Sequence, residues 1–478
     1  MGLADSLAAL CTEAAGRLPG PYGAEAAALG ARLHGPLRVA IAGRVKAGKS
    51  TLLNALVGER MAPTDAGECT RLVTWYRRAD SYQVQALLRD SSVRSVRFRR
   101  EDDALHVDLG NVPASAVERL DVQWPSARLA DLTLIDTPGL ASARLETSAR
   151  TLEFLAPTDE RTTDADAVVY LMRHVHRRDV EFLDAFMDRT VTQASPINAI
   201  AVLSRADEIG GGRLDALESA RRVAVRYRSD STLRSLCSAV VPVAGLLAEA
   251  GTTLREDEYR ALHALAAADQ PTLDTMLVTA DRFVAAGIGP LTIELRHTLL
   301  RRLGLFGVRF AVDRIRAGAV SDSPGLAAVM VEASGITELR GLLVERFLPR
   351  ARILQSRAVL AGLQRIARRV AAGNGGLSRW LDERVERIEA AAPELGDLRL
   401  LHLATIGSAF AEEEREEIRR LVLTPAADSD PGQTRAGAIA GVERWRVRAS
   451  DPRNDPETVE ACELAARAYE RIVAAAAG

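Results

Sequence analysis

Residues 37–58 read LRVAIAGRVKAGKSTLLNALVG, and their order decides the fold. An apolar run, LRVAIA, is followed by a glycine-bounded loop and then by a helical stretch. The loop Gly43-Arg44-Val45-Lys46-Ala47-Gly48-Lys49-Ser50 fits the pattern GxxxxGK[ST], with Thr51 next to it. Small residues let backbone N–H groups wrap phosphate oxygens, and the N-terminus of the following helix adds a favourable dipole. Lys49 is placed to reach the β- and γ-phosphates of a nucleotide, and the Ser50 hydroxyl to coordinate Mg²⁺.

Composition singles out the same loop. Lysine occurs only at Lys46 and Lys49, and the other 60 of the 62 basic residues are arginine. A chain that uses arginine wherever it can keeps a compact ammonium here, where a planar guanidinium does not substitute for it.

Outward from the loop, short apolar runs alternate with helical stretches. Leu37–Ala42, Leu72–Tyr76, Leu132–Ile135, Ala167–Leu171, Ile197–Leu203 and Ala239–Val243 are strand candidates, and the alternation predicts a mostly parallel sheet with helices on both faces. Tyr82–Arg89 and Val93–Phe98 suggest additional antiparallel strands. Residues 3–33 predict one or two helices interrupted at Pro19-Gly20-Pro21. Beyond about 290 long amphipathic helices are expected over 290–317, 335–371, 377–391, 397–423 and 456–476, with turns or hinges at 373–376 and 424–434. This divides the chain into an N-terminal helical segment (1–35), an α/β nucleotide-binding domain (36–335, its end expected between 290 and 350) and a helical bundle (336–478).

Two further motifs complete a nucleotide site. Asp136-Thr137-Pro138-Gly139 follows DLTLI; its carboxylate would hold the Mg²⁺ shell and the Gly139 amide would sense the γ-phosphate. Ser204-Arg205-Ala206-Asp207 follows INAIAVL. A carboxylate at 207 can accept from guanine N1–H and N2–H₂, which adenine lacks, so Asp207 argues for GTP over ATP; the Arg205 stem would stack on the base. Thr64 and Thr70 are candidates for a switch threonine on Mg²⁺, with Thr70 preferred because it lies just ahead of a strand. Val243-Ala244-Gly245 is placed for a backbone loop against the base.

Whole-chain composition excludes several alternatives. Net charge is −2 and aromatics make up 4%, so no global field or stacking surface points to nucleic acid. Four dispersed cysteines without metal-ligand spacing suit a reducing, cytoplasmic compartment. The N-terminus lacks the pattern of a secretory signal, and no apolar run reaches 18 residues. The opening MGLADS matches the myristoylation pattern at Gly2 and Ser6, a short match that arises often by chance.

GRVKAGKSTLLNALVGERMAPTDAGECTRLVTWYR, LIDTPGL and VLSRADEIG resemble the bacterial dynamin-like proteins, in particular the actinobacterial group that includes the isoniazid-inducible proteins of mycobacteria. The motifs lie within 37–245; beyond them only the helical pattern is shared. The resemblance implies Mg²⁺-dependent GTP hydrolysis stimulated by pairing of GTPase domains, in a homodimer or with a paralogue. It further implies that flanking helices fold into one bundle, and that bundle movement remodels a membrane, with a peripheral location on the inner face of the plasma membrane. A ribosome- or RNA-associated GTPase and a slowly hydrolysing GTP-dependent scaffold are the alternatives.

Two positions depart from familiar GTPases. Leu140 stands where many small GTPases place a water-orienting glutamine, and Val45 where dynamins place theirs. At position 46, guanylate-binding proteins and atlastins carry an arginine that acts in cis on the phosphates, so Lys46 is similar to that solution. Lys46, Lys49 and Thr70 are the expected catalytic set, Lys46 by that likeness, with a solvated lysine on the loop rim as the alternative reading of position 46. His174 and His176 lack a third metal ligand; with Arg178 and Asp179 they are expected on a loop facing a partner GTPase domain. For membrane contact, Leu305, Phe306 and Phe310, or Leu377 and Trp380, are candidates whose helical spacing reads more simply as core.

Overall fold

The computed structural model describes residues 2–62, 72–101, 104–138, 164–174, 179–180, 183, 198–285, 290–406, 410–423 and 431–475. The run expected to be the first strand is β1 (Leu37–Gly43), buried except at Arg38. Its central place follows from its composition, since a strand apolar on both faces must be covered on both.

Numbering continues as β2 (Val73–Arg78), β3 (Gln83–Leu88), β4 (Val93–Ser95), β5 (Arg97–Glu101), β6 (Ala104–Asp108), β7 (Val117–Trp124), β8 (Leu132–Asp136), β9 (Ala167–Met172), β10 (Ala199–Ser204) and β11 (Ala239–Val243). The main sheet has the order β11-β10-β9-β1-β8-β2-β7-β3-β4, and β5 pairs with β6 separately. From β11 to β8 all neighbours are parallel. On the other side β2 runs antiparallel to β8, and β7 parallel to β2. The expectation of a mostly parallel sheet with added antiparallel strands holds. The expected strand over 93–98 is instead divided between two sheets at Val96, and β6 and β7 were not anticipated. In β7 the apolar alternation is broken by Asp121, which is buried because Arg77 Nε donates to it at 2.8 Å.

Helices cover both faces. α1 (Leu3–Arg17), α2 (Pro21–Arg32) and α3 (Lys49–Val57) precede α4 (Ala216–Ser229), α5 (Ser231–Leu236), α6 (Gly245–Thr252), α7 (Glu256–Ala266), α8 (Gln270–Met276), α9 (Ala280–Ala285), α10 (Ile293–Arg316), α11 (Ser323–Ala333) and α12 (Ile336–Leu342). α13 (Ala351–Ala371), α14 (Gly375–Ala390), α15 (Pro393–Ile406), α16 (Glu412–Leu423), α17 (Pro431–Ala449) and α18 (Pro456–Ala475) complete the described chain.

The single helix expected over 335–371 is interrupted by a π turn (Leu343–Phe347) and a 3₁₀ turn (Leu348–Arg350), because Pro349 has no N–H to donate. The one expected over 397–423 is two helices, α15 and α16. α17 begins inside the stretch read as a hinge.

Ile336, Leu339, Leu343, Phe347 and Leu354 pack into the same core as β1 and α3. Leu7, Leu10, Leu29 and Leu33 of the first helical stretch pack instead with Val359, Leu363, Ile366 and Leu381. A Cβ at Gly362 would stand 2.6 Å from Leu29 Cδ1, so α2 and α13 approach closely because that position is glycine. Phe306 and Phe310 are buried, and Leu377 and Trp380 pack against the core shared by α1 and α13. Among the described residues no helix is long and apolar enough to cross a membrane.

Candidate functional site

Strand register assembles the site. β1 pairs Ile41 with Asp136 and Gly43 with Leu171, so the loop and the carboxylate emerge side by side at the C-terminal ends of parallel strands, where ligands bind in open α/β sheets. Gly43 has φ +148°, and a Cβ there would lie 2.5 Å from the Leu171 carbonyl oxygen; only glycine lets the loop leave the sheet at this point. Gly48 has φ +93° and heads α3. Thr137 donates from its hydroxyl to Ile41 O at 2.9 Å, which ties the segment after β8 to β1.

Lys49 is folded onto its own loop. Its Nζ donates to Gly43 O and to Arg44 O, both at 3.2 Å. Ser50 Oγ donates to Asp136 Oδ2 at 3.1 Å, whereas buried Asp136 Oδ1 has no partner among the described residues. Burial pushes the Asp136 carboxyl up to about 6, although Lys49 and the Ser50 hydroxyl pull it down. Burial likewise draws the Lys49 ammonium below its ordinary range, with Asp136 opposing. An orphaned carboxylate oxygen beside a serine hydroxyl is a donor set that suits Mg²⁺, a hard cation that takes oxygen ligands.

A cavity of about 250 Å³ extends from this loop. Ala47, Gly48 and Thr51 line it together with Ser204, Arg205, Asp207 and Val243. Asp207 is buried, which raises its carboxyl above the ordinary range, with Glu208 adding and Arg205 and Arg173 opposing. Arg205 has φ +54°, and its guanidinium donates to Glu208 at 2.5 Å; Arg173 pairs with the same carboxylate. Ala244 is buried and its N–H donates to Ser334 O at 2.9 Å. Gly335, at φ +81°, comes so close that a Cβ would meet Pro242 O at 2.2 Å. The loop after β11 therefore rests on the segment that leads into α12.

Lys46 and its neighbours Arg44 and Val45 are exposed on the loop rim. Lys46 has φ +62°, a left-handed conformation uncommon for a lysine. Thr64, Thr70, Gly139, Leu140, His176 and Arg178 lie outside the described residues. His174 is exposed, and among the described residues no group of three His, Cys, Asp or Glu could hold a metal. Asp179 does not face outward as expected: it is fully buried and accepts from Tyr170 O–H at 2.6 Å.

Sequence reasoning missed part of the cavity wall. Arg60, Leu246, Glu249 and Arg301 line it. Arg60 Nε donates to Glu249 Oε1 at 2.7 Å, and the Glu249 side chain is 4% exposed. A single acid in the apolar helix GLLAEAGT was a usable signal, since a buried carboxylate needs a partner. Arg301 offered none: only the packing of α10 on α6 brings it here. Buried Asn54 holds the stem beyond α3, its Oδ1 accepting from Met61 N at 2.8 Å and Ala62 N at 2.7 Å.

A sequence profile described as "Dynamin family" matches residues 39–196. The chain is 38% identical over 458 residues to "Isoniazid-induced protein IniC" of Mycobacterium tuberculosis, an alignment covering 93% of this chain and 92% of that protein. It is 28% identical over 193 residues to "Dynamin-like protein 2" of Campylobacter jejuni, covering 40% of this chain and 29% of that one. A solved structure described as "An oligomerised bacterial dynamin pair provides a mechanism for the long range sensing and tethering of membranes" aligns over 98% of this chain and 73% of its own, at 13% identity and a TM-score of 0.37, a likeness too loose to support an inference.

Proposed function

The chain belongs to the dynamin family of large GTPases, and on that premise we propose that it binds GTP with Mg²⁺, hydrolyses it to GDP and phosphate, and couples the reaction to movement of its helices at a membrane. The observation that carries the nucleotide part is one cavity lined both by Ala47, Gly48 and Thr51 of the glycine-bounded loop and helix and by the buried Asp207.

In this reading Lys49 leaves the carbonyls of Gly43 and Arg44 and pairs with the β- and γ-phosphates, while loop N–H groups from Gly43 to Thr51 bind the phosphate oxygens. Asp207 accepts from guanine N1–H and N2–H₂, with Ser204 beneath it, the Arg205 stem against the base and the backbone of Val243 and Ala244 closing the pocket. Ser50, Asp136 and Thr70 would hold Mg²⁺, which when bound supplies positive charge to the phosphates. Gly139 would sense the γ-phosphate through its amide.

Lys46 sits on the outer rim and would place its ammonium over the β–γ bridge, neutralising charge that grows in the transition state. Arginines in that role are worth about 10³–10⁵ in rate in related NTPases. Pairing of two GTPase domains would bring the Lys46 rim out of water and stimulate turnover. The helices of 1–35 and those beyond the turns at 343–350 are the part proposed to move, since Ile336, Leu339, Leu343 and Phe347 belong to the core of β1 and α3, and membrane contact is proposed to be peripheral.

Calorimetry with GTP, GDP and ATP tests the core of the proposal. Tight binding of both guanine nucleotides and at least about a hundredfold preference over ATP is expected; equal affinity for ATP overturns it. Turnover per molecule that rises with protein concentration supports pairing, and turnover independent of concentration favours a slowly hydrolysing scaffold. Flotation with liposomes in the GDP and GTP states tests the membrane step, and absence from the lipid fraction in both states overturns it.

A further inference from the structure

A second cavity, about 490 Å³, lies where β11, the outer strand of the sheet, meets the C-terminal helices, and it shares no lining residue with the nucleotide cavity. Its walls come from α4 and α5, from Ser238–Val240 on and beside β11, from α12 with the π turn, and from α16. Five arginines line it, Arg228, Arg234, Arg346, Arg415 and Arg419, against two acids, Glu338 and Glu412.

Two of the arginines are held in place by backbone. Arg228 Nε donates to Val240 O at 2.8 Å, and Arg346 donates through one terminal nitrogen to Ser238 O at 2.5 Å. Each guanidinium carries five N–H groups in a fixed fork, so this anchoring orients the remaining donors without consuming them. The acids do not balance the charge. Glu338, 49% exposed, pairs with Arg228; Glu412, 67% exposed, is shared by Arg415 and Arg419 at 3.3 Å each; and Glu416, 54% exposed, takes Arg419 at 2.8 Å, which leaves three exposed acids against five arginines. Exposed pairs of this kind contribute little. Burial first, and then the nearby charges of Arg419 and Arg228, push Arg346 below its ordinary range, with Glu345 opposing.

We propose that this cavity is a binding site for a phosphate group bearing two or more negative charges, either free in solution or as the headgroup of a phospholipid. A tetrahedral oxyanion offers several acceptor oxygens at once, which suits forks converging from four elements better than a single carboxylate does. An anion held here would bridge the sheet edge to α16 and so fasten the C-terminal helices to the nucleotide-binding half.

The test is calorimetric titration of inorganic pyrophosphate, with a chelator present, into the full chain and into Lys49→Ala, Arg419→Glu and Glu338→Gln. Saturable binding is expected to survive Lys49→Ala. It should weaken about tenfold or more in Arg419→Glu, which sits on the exposed rim, and tighten in Glu338→Gln because a competing carboxylate is gone; misfolding cannot mimic a gain in affinity. In parallel, phosphatidylcholine vesicles with and without phosphatidic acid distinguish the sources. Retention that needs phosphatidic acid and is lost in Arg419→Glu assigns a lipid headgroup, and pyrophosphate binding without vesicle retention assigns a free phosphate compound. Pyrophosphate binding abolished by Lys49→Ala and untouched by Arg419→Glu, or no saturable binding together with no retention, overturns the proposal.

Discussion

The two cavities hold positive charge in opposite ways. In the cavity proposed for the nucleotide, the loop proposed for the phosphates offers backbone N–H groups and one lysine, and its geometry is fixed by glycines at φ +148° and φ +93°. In the junction cavity the charge comes from arginine side chains on four separate elements. Backbone donors are aimed by the fold itself and cost no side-chain ordering when a ligand arrives, whereas side-chain donors must be aimed one at a time by carbonyls such as Val240 O and Ser238 O. A lysine ammonium is a compact point charge with three rotatable donors, whereas a guanidinium presents a rigid fork of donors that matches an oxyanion in fixed directions.

The sharpest break in that comparison is Lys49→Ala. Losing one charge about 4 Å from a phosphate at an effective dielectric of 20 costs about 4 kcal/mol, so GTP affinity should fall about a thousandfold by calorimetry. Next is Asp207→Ala, which removes two charge-assisted bonds of about 1.5–3 kcal/mol each; a competition assay should show GTP losing most of its advantage over ATP.

Arg60→Ala probes the wall of the same cavity. It leaves the buried Glu249 carboxylate without its arginine, and loss of one partner of a buried pair costs about 3 kcal/mol. Thermal melting should show that loss at neutral pH, with wild-type stability largely restored in Arg60→Ala combined with Glu249→Gln.

Asp136 gives a pH dependence. An acid whose pKa is raised on folding favours the folded state while protonated, so its stabilisation is complete below the ordinary value of 3.8 and is lost as pH rises through about 6. The cation needs the carboxylate, so Mg²⁺-dependent GDP affinity should fall about tenfold per pH unit below about 6. Asp136→Asn should flatten that slope, and an unchanged slope would assign it to the nucleotide. The smallest expected effect is Arg419→Glu on stability. Its pairs are exposed, so the melting midpoint should move by no more than about 1 kcal/mol equivalent while anion binding at the junction drops.

How much was legible before folding varied with the kind of signal. Leu37–Ser50 declared strand, loop and helix because turn chemistry and periodicity are local. The parallel half of the sheet followed, since strands buried on both faces write continuous apolar runs. The antiparallel side was harder: Asp121 in β7 looks like a solvent position until Arg77 arrives from β2. The helices after 335 were counted imperfectly because Pro349 breaks one run through a missing donor.

Sequence alone determined the strand, loop and helix of 37–58 and the order of elements, because each depends on neighbours within a few residues. Tertiary structure alone decided that Arg60 and Glu249 meet beside the cavity proposed for the nucleotide, that Gly335 supports the loop after β11, that Asp179 turns inward to Tyr170, and that five arginines from distant segments share one cavity. Those outcomes depend on distances between residues far apart in the chain, which packing sets and local pattern does not encode.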